Sequence, residues 1–170
     1  MAKSRDTIRP IWPKDLSSIV REGLADHAPL SDDAFAPGTV CVRDSNNELV
    51  ECDDTLVWEP VELIWTDGAT RFDTEETTLA GGTKTRYTTL VGPFIALIAS
   101  NNFKDNSAGG PAVGMMVTKA NNANIGFLSA KNSADLLTKA GGAGNEHLVP
   151  GLIIGQILSI EGNFVKCRIM

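Results

Sequence analysis

The sequence predicts an all-β fold, a small barrel or sandwich. Short runs rich in Val, Ile and Thr recur along it, separated by turns built from Gly and Asn, and sixteen glycines accompany few helix-like segments. Strands at such short spacing, without the longer helical patterns of βαβ units, belong to all-β architectures. No internal repeat of fixed period is visible.

The chain of 170 residues suits one domain of ordinary size with an extension, long enough to bury a core. Two regions separate by composition: an amino-terminal arm with a short helix over residues 1–37, and a β-rich domain over 38–170. In the arm, Lys3, Arg5, Arg9 and Lys14 make the start basic. Pro10 and Pro13 bracket Ile11-Trp12 and force an extended backbone. Asp15 is placed to cap a short helix through Leu16, Ile19 and Val20, ended by Gly23. An indole on an extended polar arm suits docking, either on the same chain or on a neighbour, so Trp12 stands out.

From Thr39 the chain reads as successive strands. "VCVRDSNNELVEC" is a hairpin turning at Asn46-Asn47, since Asn tolerates the positive φ of a two-residue turn, and that register sets Cys41 opposite Cys52. In "LVWEPVELIW" neither alternating face is cleanly polar, and Pro60 marks an edge or bulged strand. A Thr-rich, charged excursion around Gly81-Gly82 precedes a strand from Thr85 to Val91. Phe94 to Ala99 reads as a buried strand and Asn101 to Gly110 as a loop. Ala112–Val117 and Ile125–Ser129 then form a pair around "TKANNANIG". Ser133 is placed to cap a helix over Ala134–Ala140, closed by Gly141. Last comes the hairpin "PGLIIGQILSIEGNFVKCRI". Gly162 supplies its positive φ, and Val165, Cys167 and Ile169 alternate with Phe164, Lys166 and Arg168.

Three cysteines leave one without a mate, and Met1 to Arg9 is polar with no apolar stretch behind it, so reduced thiols in a cytosol-made protein are expected. A zinc site lacks support: there is no C-x-x-C, and His27 and His147 have no ligand spacing to a cysteine. The formal charge of -6 argues against general nucleic-acid binding. The apolar runs "LVGPFIALIA" and "LVPGLIIGQIL" fall short of the roughly 20 residues of a spanning helix, so no membrane partner is expected. Acids concentrate between Asp44 and Glu76 and read as a solvated face, since no EF-hand spacing occurs.

Catalytic motifs are missing. "LAGGTKTR" fails the phosphate-loop spacing because Thr83 separates Gly82 from Lys84, and "GGAGNEHLVPG" lacks the dinucleotide fingerprint. No nucleophile elbow occurs, and Glu146-His147 in a Gly-rich loop reads as a solvated turn. Neither an enzyme nor a cofactor is expected.

The order "APGTVCVRDSNNELVEC", "VWEPVELIWTDGATRFDTEETT", "TTLVGPFIALIASNNF", "PAVGMMVTKANNANIGFL" and "PGLIIGQILSIEGNFVKCRI" resembles the head decoration, or cement, proteins of tailed bacteriophages. The likeness spans roughly Gly38 to Met170 and rests on alternations of glycine and β-branched residues. The chain departs from that pattern in its long start with a tryptophan and in its Thr-rich excursion. The resemblance implies a β-barrel or β-tulip-like domain, often a homotrimer, whose amino-terminal arm lies along the outer capsid surface of the virion. It also implies the major capsid protein as partner. On that reading Ile8, Ile11, Trp12 and Pro13 reach the shell or a neighbouring subunit, while Asp44 to Glu76 faces outward. Two other classes compete: a phage tail or baseplate module, and a small trimeric nucleotide hydrolase of the dUTP pyrophosphatase kind, whose motifs are absent.

Overall fold

The computed structural model describes residues 7–26, 35–52, 60–66, 84–139 and 153–170. The strands are β1 (Ile8–Trp12), β2 (Val20–Asp26), β3 (Val40–Arg43), β4 (Leu49–Glu51), β5 (Glu62–Thr66), β6 (Lys84–Val91), β7 (Phe94–Ala99), β8 (Met116–Lys119), β9 (Leu128–Lys131), β10 (Ile153–Glu161) and β11 (Phe164–Ile169), with one helix, α1 (Ser133–Lys139), after β9. They form a closed barrel in the order β2-β4-β3-β5-β6 and a six-stranded sheet in the order β1-β7-β11-β10-β8-β9. The all-β expectation holds, and both a barrel and an open sheet are present.

One core joins the two units. The inner face of the sheet, with Phe94, Ala96, Ile98, Val165 and Ile157, packs against the barrel wall through Val40, Val42, Leu63 and Leu90. A second, smaller cluster fills the barrel: Ala25, Cys41, Leu49, Ile64 and Tyr87, one from each barrel strand, with the Phe35 ring tilted 34° against Tyr87 at 5.4 Å between centroids. β5 lies between these two cores, which is why its sequence is apolar on both parities: Leu63 faces the sheet and Ile64 the barrel interior. Each such fully buried side chain contributes about 1.5–3 kcal/mol of burial free energy.

The amino-terminal segment is extended, as expected, but its described part is woven into both units. β1 pairs antiparallel with β7, and β2 pairs antiparallel with β6 along its whole length. It therefore runs beside the continuous β6–β7 path and crosses with it from barrel to sheet. Ile8 and Ile19 are buried in the shared core, and the Val91 amide donates to the Ile19 carbonyl.

Several expected details are corrected. The helix after Asp15 is a single 3-10 turn, Leu16–Ser18, with the Asp15 carboxylate accepting from the Ser17 amide, which holds its pKa below the ordinary value. Gly23 lies in β2 instead of ending a helix. A Cβ there would stand 2.7 Å from Leu49 Cδ1, so a small barrel filled by Leu49 selects glycine at this strand position. The first hairpin turns through a longer loop than two residues: Arg43 pairs with Leu49, the Asp44 carboxylate accepts from the amides of Asn46 and Glu48, and Asn47 takes φ 61°. Cys41 consequently sits opposite Glu51, not Cys52. This one-residue slip reverses the facing of the second strand relative to the first. Cys41 points into the barrel and Cys52 into the shared core, and all three cysteines are buried thiols outside any disulfide.

Further along, β8 and β9 pair as foreseen, a few residues later than the sequence suggested. Asn132 replaces Ser133 as the α1 cap, its side-chain oxygen accepting from the Asp135 amide. β7 is buried on one face only. The final hairpin is as foreseen: Glu161 pairs with Phe164, Gly162 has φ 62°, and Val165, Cys167 and Ile169 are buried. The Gly81-Gly82 excursion, Gly141, His27 and the Glu146-His147 pair lie outside the described residues.

Candidate interaction surface

The four residues singled out in the amino-terminal segment divide by burial. Ile8 is 1% exposed, paired with Ile98 and packed in the core, where it anchors β1. Ile11 and Trp12 are 42% and 51% exposed, and Pro13 follows them half-buried. The cause is local. Pro10 pairs with Ala96 and Trp12 with Ile95, leaving Ile11 as the extra residue of a bulge. A bulge between two prolines suits an edge strand, where one side of the backbone needs no ladder partner. It re-aims Trp12 onto the outer face of the sheet.

Antiparallel partners share a face, so the register maps what surrounds the indole. Trp12 stands beside Ile95, Ile95 beside Arg168, and Arg168 beside Gln156. In the next row Arg9 lies beside Leu97 and Leu97 beside Lys166, with the Arg9 guanidinium 4.8 Å from the centre of the Phe164 ring. Sequence reasoning placed Phe164 on the mixed, partly charged face of the last strand, as found, but missed Ile95 and Leu97 as surface residues. The signal was the alternation of Ile95 and Leu97 with Phe94, Ala96 and Ile98, but apolar residues on both parities read equally well as a strand buried on two sides.

The Asp44–Glu76 stretch is not one solvated face, because Glu51 and Glu62 are buried. Arg43 donates from Nε and Nη2 to the two Glu62 oxygens at 2.9 Å each, and Thr89 donates to Glu62 Oε2 at 2.8 Å. The Glu62 hydrogen bond pushes the Arg43 pKa upward against the effect of burial. An open groove of about 330 Å³ lies beside this pair, lined by Glu22, Leu24, Arg43, Asn46, Asn47 and Arg86 among others. Its charges are already used: Arg43 also donates to the Asn47 and Glu22 carbonyls, Arg86 pairs with Glu22 at 3.0 Å, and Lys84 pairs with Glu48. The charged side chains of the groove are thus tied into a polar network of their own.

Among the described residues no three His, Cys, Asp or Glu side chains stand together as a metal site, and no helix is long and apolar enough to cross a membrane. Burial pushes the Cys167 thiol up to about 12, which keeps it protonated and a poor nucleophile at neutral pH. No family model matches the chain, and no curated protein matches it.

Proposed function

We propose that this chain is a virion structural protein that binds the outer surface of a tailed-phage capsid and stabilises it by clamping neighbouring subunits of the major capsid protein. The observation that carries the reading is Trp12: a half-exposed indole on a bulged edge strand whose other end, Ile8, is fixed in the core. Large aromatic side chains held rigidly at a surface lose little freedom on docking and dominate interface energies. A shell under outward pressure from packed genome needs ties between capsomers, and ties need surface, not chemistry. A homotrimer at a threefold position would multiply weak contacts through avidity.

Deleting everything before Lys14 would remove Ile8 from the core along with Trp12, so truncation confounds binding with folding. Point substitution separates them. Empty heads assembled from the major capsid protein of the virus that encodes this chain should retain the wild type on co-sedimentation. The Ile11→Ala/Trp12→Ala variant should lose occupancy while unfolding at a similar temperature. Full occupancy by the variant would refute the assignment of β1 as the contact strand, and failure of the wild type to bind would refute the function.

A further inference from the structure

We infer that the docking face is the outer side of the β1-β7-β11-β10 part of the sheet, and that its occupant is a protein surface carrying carboxylates around an apolar centre. The inference rests on the capsid-binding reading and names the partner's chemistry.

A solvated face of an antiparallel sheet alternates polar residues against the core residues of the other side. Here the outward positions of β7 are Ile95, Leu97 and Ala99, all only half-buried although nothing in the chain's described residues packs over them as core. Trp12 continues that apolar centre on one side and Phe164 at one end. Around it stand Arg9, Lys166 and Arg168. Glu161, at the hairpin turn, meets Lys166 Nζ loosely at 3.7 Å. Arg168 forms no ion pair among the described residues. Lys166 and Arg168, on the outward face of β11 in a chain whose net charge is -6, run against its average composition.

An apolar centre with a cationic rim matches an interface whose partner presents aliphatic or aromatic groups ringed by Asp and Glu, with arginine able to hold a carboxylate through two parallel hydrogen bonds. A twofold pairing of this face with itself would set cation against cation, so a symmetric second copy is the wrong occupant.

The test measures affinity for empty heads between about 50 and 300 mM NaCl, a range that shortens the screening length across an exposed rim. Wild-type affinity should fall with salt. Lys166→Glu/Arg168→Glu should weaken binding about tenfold or more, because like charges then face each other. Arg86→Glu, on the barrel, should bind as wild type. If the double reversal binds like wild type while Trp12→Ala does not, the acidic occupant is wrong and the capsid reading survives. If the wild type fails to bind heads at all, both fall. If the reversal changes the solution mass by sedimentation, or abolishes binding to duplex DNA instead of to heads, the face belongs to another copy or to nucleic acid and the inference is overturned.

Discussion

The barrel and the six-stranded sheet use their surfaces differently. In the barrel the interior is filled by Tyr87, Leu49 and the Arg43–Glu62–Thr89 network, and the wall facing the sheet packs into the shared core, while Glu22, Leu24 and Arg86 stay exposed on the groove side. The sheet buries one side only along β7 and β11, while at its other end β9 is buried on both sides. The outer side at β1 and β7 keeps Trp12, Ile95 and Leu97 half-open between cations. The contrast teaches where to look for a docking surface: less at the polar groove, where Arg43, Lys84 and Arg86 each meet a carboxylate, than at the apolar face of β7, which is only half-buried.

The comparison would break first if the two units did not share a core. Phe94→Ala removes a fully buried ring from that core, and the expected loss is about 3–5 kcal/mol in a urea titration. Barrel and sheet should still unfold in one transition followed by both tyrosine and tryptophan signals, whereas two transitions would separate them. Next in size is Glu62→Ala. It leaves Arg43 without its carboxylate, and since the guanidinium is partly exposed the expected cost is about 2–3 kcal/mol, below that of a fully buried pair. A change within about 0.5 kcal/mol would show that the network does not hold the barrel.

Gly23→Ala probes the tightness of the barrel interior. The added methyl meets the flexible end of Leu49, so about 1–2 kcal/mol is expected, and thermal unfolding measures it. Trp12→Ala should cost less than about 1 kcal/mol, since half the indole is already in water, and its effect should appear in binding instead. A loss of several kcal/mol would make Trp12 a core residue and weaken the contrast between the faces. The smallest effect is none at all: maleimide at pH 8 should leave Cys167 unmodified in the folded chain, because burial pushes its pKa up to about 12, and should label it rapidly in urea. Mild oxidation should likewise leave Cys41 and Cys52 unlinked, since they face different cores.

Local chemistry made the closing hairpin legible, because Gly162 and the strict alternation of β11 agree with each other and with the fold. It misled where a distant partner decides. The Asp15–Gly23 stretch carries a cap and a stop, yet pairing of β2 with β6 overrides the weak helical pattern. The Asn46-Asn47 turn was visible, but Asp44 organises a longer loop, and a one-residue slip no composition argument can see sends Cys41 and Cys52 to opposite sides. Of the candidate contacts, Trp12 and Ile11 are at the surface and Ile8 is not. The two-proline pattern announced an extended strand, but not that its first residue would enter the core.

Amide hydrogen exchange of the chain alone and bound to empty heads tests the central claim most directly. Protection on binding should concentrate in β1, β7 and β11 and leave the β3–β4 hairpin unchanged. Protection confined to that hairpin and the barrel groove would contradict it.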